Sequence, residues 1–102
     1  VESVLVTVTR NGSETIIYAR GEFDVATCSE LADVIESELG SGTIVVVDLS
    51  EVAYMDSSCL NVLIRARRHQ AELGGSFAVQ RPSHTAQRLL EVTGLQELIR
   101  DT

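Results

Sequence analysis

Thr43-Ile44-Val45-Val46-Val47-Asp48-Leu49-Ser50-Glu51-Val52-Ala53-Tyr54-Met55-Asp56-Ser57-Ser58-Cys59-Leu60 is the stretch on which the reading of this chain turns. Its first seven residues form a β-branched apolar run, the pattern of a central strand covered on both faces. The run exits through a polar loop at Ser50-Glu51 and, past Val52 to Met55, delivers Asp56-Ser57-Ser58 to the start of a helix. That helix is expected from about Ser58 to Leu73, with Leu60, Leu63 and Ile64 inward and Arg65, Arg68, His69 and Glu72 outward. Gly74-Gly75 stops it.

Upstream, Val4 to Val8 and Thr15 to Ala19 are β-rich segments separated by Asn11-Gly12-Ser13, which reads as a hairpin. Gly21-Glu22-Phe23-Asp24 breaks the strand pattern. From Val25 to Leu39, the residues Cys28, Leu31, Ala32, Ile35 and Leu39 fall on one helical face, and Gly40-Ser41-Gly42 ends that helix. Downstream, Phe77-Ala78-Val79 is a further strand, and Pro82-Ser83 opens a third helix from His84 to about Val92. Leu95, Leu98 and Ile99 complete the core. The order β-β-α-β-α-β-α predicts an α/β fold, a mixed sheet with helices packed on it and right-handed crossovers between parallel strands.

At 102 residues, 44% hydrophobic and 23% charged, the chain is expected to form one domain with one ordinary core. Because it opens on Val1 and not Met, its native start is expected to have been trimmed. No apolar run approaches the ~20 residues of a membrane span, and no signal-peptide pattern is present, so direct membrane insertion is not expected. All eight basic residues are Arg, and the net charge is -7. That balance argues against nucleic acid as a partner, because phosphate neutralisation needs positive charge. Residues 1–56 hold eleven acids and two Arg, whereas residues 57–102 hold four acids and six Arg. The first half therefore offers an acidic surface for a basic partner. Two cysteines, Cys28 and Cys59, make neither a disulfide framework nor a zinc site. Without a secretory signal, reduced thiols and a cytoplasmic location are expected.

Ser and Asp are strong helix N-cap residues, so Asp56-Ser57-Ser58 has a purely structural reading. Capping needs only one of the three, however. A second hydroxyl beside a carboxylate, in a turn after a core strand, also fits a modification site, although the spacing alone favours the cap. Phosphate on Ser57 adds about -1.5 to -2 charge. A helix N-terminus tolerates that, gaining ~0.3–1 kcal/mol, so the expectation is an interface switch that leaves the fold intact. Other chemistry is poorly represented. His69 in Arg65-Ala66-Arg67-Arg68-His69 and His84 beside Ser83 read as surface residues without metal-ligand spacing. No Gly-x-Ser-x-Gly elbow surrounds Ser57, and there is no Gly-rich Lys-Ser/Thr phosphate loop. Neither an enzyme nor a cofactor is expected.

Over nearly its whole length the sequence resembles the STAS domain family and, within it, the bacterial anti-sigma factor antagonists. Gly21-Glu22-Phe23-Asp24 is similar to the family's Gly-Glu-hydrophobic-Asp after the second strand, and Val47-Asp48-Leu49 to its central strand. Tyr54-Met55-Asp56-Ser57-Ser58 resembles its Met-Asp-Ser-Ser/Thr phosphorylation motif. Leu73-Gly74-Gly75 and Val92-Thr93-Gly94-Leu95 match later landmarks. The resemblance implies a single STAS domain over 1–102, with a four- to five-stranded mixed sheet and three to four helices mainly on one side. It implies a partner switch: the unphosphorylated protein binds an anti-sigma factor, a serine kinase of GHKL fold, and so frees a sigma factor. The kinase ends that binding by phosphorylation, and a Ser/Thr phosphatase restores it. By the motif, Ser57 is the acceptor and Ser58 a secondary one, Asp24 helps contact the kinase, and Asp56 shapes the turn. A monomer or weak dimer is expected. The alternative is an STAS scaffold subunit of a membrane lipid or anion transport complex with no phosphate cycle. A stressosome-like scaffold is disfavoured, because such proteins usually carry an additional N-terminal domain. One departure is Cys59, where the family usually has Gly. Cys59 adds bulk at the proposed contact, which either weakens or selects kinase docking or marks a member no longer phosphorylated. The plainer reading makes Cys59 a small half-buried helix residue and Cys28 a core residue.

Overall fold

The computed structural model describes residues 4–100, so Val1 and the last residues of the expected 1–102 span lie outside the described residues. Four strands form one sheet in the order β1-β2-β3-β4, from β1 (Leu5–Asn11), β2 (Glu14–Phe23), β3 (Ile44–Met55) and β4 (Ser76–Gln80). β1 is antiparallel to β2, whereas β2–β3 and β3–β4 are parallel. Helices α1 (Cys28–Glu38), α2 (Leu60–Glu72) and α3 (His84–Val92) connect and follow the parallel strands, and short 3-10 turns occupy Ser57–Cys59 and Gln96–Leu98. The mixed α/β architecture expected from the sequence is therefore present, with four strands and three helices.

The register explains which face is covered. Ile17 pairs with Val47, and Val47 with Val79, so these side chains share one face. There they join one buried cluster with Leu31 and Ile35 of α1, Leu60, Leu63 and Ala66 of α2, and Ala86 and Leu90 of α3. All three helices thus deliver their apolar stripes to the same side of the sheet. Val46 is fully buried but lies outside that cluster, on the opposite face between its partners Ile16 and Ala78.

Two stretches differ from the sequence expectation. Gly21-Glu22-Phe23 continues β2, and Ser50-Glu51 continues β3. The ladder runs on through Arg20↔Glu51, Gly21↔Val52, Glu22↔Tyr54 and Phe23↔Met55, with register shifts on either side of Gly21. Gly21 sits at φ 112, a conformation open to glycine that absorbs the irregularity. Buried Phe23, Val52 and Met55 fix this extension in the core.

Two side-chain hubs satisfy buried polar groups at either side of the sheet. Gln70, fully buried in α2, accepts from the Gly40 amide (2.9 Å) and donates to the Thr43 carbonyl (3.1 Å) and hydroxyl (2.9 Å). It ties the α1–β3 connection to α2. On the open face, Asp48 is 1% exposed and accepts from the Ser50 amide and hydroxyl (3.0 and 2.6 Å), Gln80 (2.8 Å) and Arg81 (2.9 Å). Burial pushes its carboxyl up, but the hydrogen bonds from Ser50, Gln80 and Arg81 outweigh it and hold the group below the usual carboxylate range.

A folded-state value below the unfolded one means that this stabilisation is complete above the unfolded pKa of ~3.9 and is lost as pH falls through the folded value. Asp48→Asn is expected to cost about 1–3 kcal/mol at pH 7. The gap between wild type and variant should close on acidification below about pH 4. Thermal melts of both proteins across that range check this; a gap independent of pH would contradict it.

Candidate partner-binding and modification site

The extended β2–β3 pair carries two loops to the same end of the sheet. Phe23 and Met55 are the last paired residues, and the Asp56 amide donates to the Phe23 carbonyl at 2.8 Å. Asp24 and Asp56 therefore begin adjacent loops, one leading to α1 and the other to α2.

Each aspartate organises its own loop. Asp24 Oδ1 accepts from the amides of Ala26 (2.9 Å) and Thr27 (3.0 Å), which turns the chain into α1 at Cys28 and not at Val25 as the periodicity suggested. Asp56 is the N-cap of the Ser57–Cys59 turn and accepts from the Ser58 amide at 2.8 Å. The Ser58 amide, and then its hydroxyl, hold the Asp56 carboxyl below the usual range against a small opposing effect of burial.

The capping role thus falls to Asp56. Ser57 is exposed, at the first position of the turn, and its hydroxyl makes no hydrogen bond among the described residues. Ser58 is also exposed, and its amide is committed to the Asp56 carboxylate. The two serines differ in their backbone roles: Ser58 gives its amide to the cap, whereas Ser57 opens the turn with its hydroxyl exposed beside a groove. No His or carboxylate accepts a hydrogen bond from the Ser57 hydroxyl, so no general base is in place to activate it.

A groove of about 520 Å³ opens beside Ser57 and is lined by Tyr54, Asp56, His84, Arg88, Leu89 and Val92, among others. Tyr54 is 46% exposed and Val92 73%, and Val25 in the Asp24 loop is also 73% exposed. The acceptor candidate thus borders a groove of mixed polar and apolar lining, in which Tyr54 of the strand end and Val92 of α3 are held out to solvent. His84, expected on the surface without a role, lines this groove together with Arg88, and Tyr54 and Val92, known from the sequence only as parts of motifs, border it as well. The available signal was apolar Val92 outside the buried Ala86–Leu90 stripe of α3. His69 is exposed and pairs with Glu36 across the α1–α2 groove at 2.8 Å, far from this end in the chain's organisation.

Cys59 differs from expectation. It is 0% exposed, so its side chain adds no bulk to the surface and offers nothing to a docking protein. Its sulfur points inward, 3.3 Å from the Phe23 carbonyl oxygen. There it is joined to the sulfur of Cys28, with the Cα atoms 5.6 Å apart, a separation typical of bridged cysteines. The expectation of two separate reduced thiols is corrected accordingly: α1 places Cys28 at its first residue, directly against the Ser57–Cys59 turn. No group of three or more His, Cys, Asp or Glu suited to a metal ion occurs among the described residues.

Comparison with known proteins identifies the family and the fold. Residues 6–100 match the family model described as "Mlab, STAS domain". The anti-sigma-B factor antagonist of Listeria monocytogenes is 31% identical over 84 residues, covering 81% of this chain and 74% of the relative. That of Bacillus subtilis is 28% identical over 97 residues, covering 95% and 89% respectively. Among solved structures, an anti-sigma factor antagonist from Mycobacterium paratuberculosis superposes with a TM-score of 0.85 at 23% identity, covering 98% of this chain and 87% of that one. The anti-sigma factor antagonist SpoIIAA in its unphosphorylated form gives a TM-score of 0.76 at 20% identity, covering 96% and 88%.

Proposed function

Because the chain belongs to the STAS domain family, with anti-sigma factor antagonists among its relatives, we propose that it is a phosphorylation-controlled antagonist of an anti-sigma factor. In its unphosphorylated form it binds a serine kinase of GHKL fold, through the end of the domain that carries Asp24, Asp56, Ser57 and Ser58. That binding releases a sigma factor. The kinase then phosphorylates Ser57, binding ends, and a Ser/Thr phosphatase resets the cycle. Such a protein works in the cytoplasm as a binding module and kinase substrate, not as an enzyme; no described helix is long and apolar enough to cross a membrane.

The observation that carries this reading is the division of labour in the turn. Asp56 supplies the cap, which leaves Ser57 exposed and uncommitted beside a groove bordered by Tyr54, Leu89 and Val92. A kinase needs an accessible hydroxyl, and a protein partner needs exposed apolar anchors around it. Tyr54, Val92 and Val25 supply those anchors.

A second reading, the scaffold subunit of a membrane lipid or anion transport complex, draws on the Mlab description of the matched family model. It uses the same fold without a phosphate cycle. Pull-downs from native lysate with Ser57→Ala and Ser57→Glu as paired baits separate the two. A GHKL-fold kinase retained by the Ala bait and absent from the Glu bait supports the antagonist. Transporter subunits on both baits support the scaffold and reduce Ser57 to a surface residue of the turn.

A further inference from the structure

We propose that Cys28 and Cys59 form a reversible dithiol–disulfide clamp that sets the freedom of the segment bearing Ser57. The pair joins the first residue of α1 to the last residue of the Ser57–Cys59 turn, across 31 residues of sequence. These are the two loops that Asp24 and Asp56 organise. Closing the bond therefore fixes the acceptor turn to the helix opposite it, two residues from Ser57.

Both redox states have a place in the fold. In the bonded form the Cys59 sulfur lies 3.3 Å from the Phe23 carbonyl oxygen, so a thiol formed there on reduction has a backbone acceptor beside it. Cys28, at 8% exposure, is the less enclosed residue of the pair, while Cys59 is fully buried. That asymmetry assigns their roles. With hydrogen peroxide as oxidant, the Cys28 thiolate attacks one peroxide oxygen, the O–O bond breaks and water leaves, giving a sulfenic acid. The Cys59 sulfur, losing its proton, then attacks the Cys28 sulfur and expels the sulfenic oxygen as a second water. Two thiols and one peroxide become one disulfide and two waters. A dithiol reductant reverses this by exchange, ending as its own disulfide.

The clamp itself is independent of any partner, although its regulatory consequence rests on the antagonist reading. A kinase must draw Ser57 into its active site, and a tethered turn resists that excursion. Oxidation is thus expected to slow phosphorylation at Ser57 while leaving the unphosphorylated surface able to bind, which holds the protein in its partner-binding form.

The test begins with the chain alone. Thiol alkylation after equilibration in glutathione buffers, from reducing to oxidising, is expected to show both cysteines blocked together in one two-electron step. Hydrogen-exchange mass spectrometry is expected to show amides 56–60 exchanging at least about tenfold more slowly in the oxidised form, since exchange there requires local opening. The oxidised form should also melt at least about 5 °C higher. Cys28→Ser and Cys28→Ala should both show the faster exchange in either buffer. Three results would each overturn the clamp: thiols that stay free throughout, a bond that dithiothreitol cannot open in the folded protein, or equal exchange in the two forms. The kinase retained by the Ser57→Ala bait then supplies the second arm. A slower phosphorylation of the oxidised chain, by about tenfold or more, supports the regulatory role; equal rates refute that role. Failure to retain any kinase counts against the antagonist reading and leaves the exchange result to decide the clamp.

Discussion

Ser57→Glu is expected to abolish binding to the anti-sigma partner, whereas Ser57→Ala retains it within about threefold. Ser57 lies on the groove formed with Tyr54, Arg88 and Val92, so a charge added there must be desolvated when that groove is covered. Two unit charges about 4 Å apart interact by about 4 kcal/mol at an effective dielectric near 20. Each ~1.4 kcal/mol is a factor of ten in affinity, and even half of that figure left uncompensated weakens binding more than tenfold. A phosphate, with about -1.5 to -2 charge, does so more strongly. The fold itself should not register the change. Ser57 opens the helical turn and its hydroxyl holds no other group in place, and an anion at a helix start is mildly favourable, by ~0.3–1 kcal/mol. Calorimetric titration against the partner, with thermal melts alongside, separates these effects. A Glu variant that melts like wild type but does not bind is the expected outcome; one that binds equally well contradicts the switch.

Phe23→Ala is expected to be the most damaging single truncation at this end of the molecule. Phe23 is the largest fully buried side chain. It closes β2 against Met55 and shares its cluster with Val52, Cys28 and Cys59. Truncating a buried Phe costs about 3–5 kcal/mol, a large part of the ~5–15 kcal/mol that holds a domain of this kind. The melting point should fall by more than about 10 °C. The damage should concentrate where Phe23 packs, speeding amide exchange in the Asp24 and Asp56 loops before β1 is affected. Val25→Ala, two residues along the chain but 73% exposed, serves as the contrast: it should leave stability within about 0.5 kcal/mol and act on partner binding alone. Comparable melting points for Phe23→Ala and Val25→Ala would contradict this packing account.

The central strand, the three helices and the Asp-Ser-Ser turn were legible because each is written in local pattern: a β-branched run, a 3.6-residue stripe, a polar break. The sheet extension was not. Gly21 looks like a strand breaker until its partner strand is known; paired with Val52 it becomes the flexible point of a bulge. Ser50 and Glu51 look like a loop because they are polar, yet their backbones stay in β3 while their side chains face solvent. The turn motif was visible, but not that Asp56 caps it and so leaves Ser57 uncommitted, because any of three residues fits that role by type. Gln70 and the Cys28–Cys59 pair were invisible for a common reason: their partners lie 27 to 31 residues away, and only the packed helices bring them together.

The most direct test of the central claim is to incubate the pure protein with the kinase it retains, in the presence of ATP, and map the phosphorylated residue by mass spectrometry. A single phosphate on Ser57, absent from the Ser57→Ala variant although Ser58 is still present, is the predicted result. Phosphate on Ser58 in place of Ser57, or none on either, would contradict it.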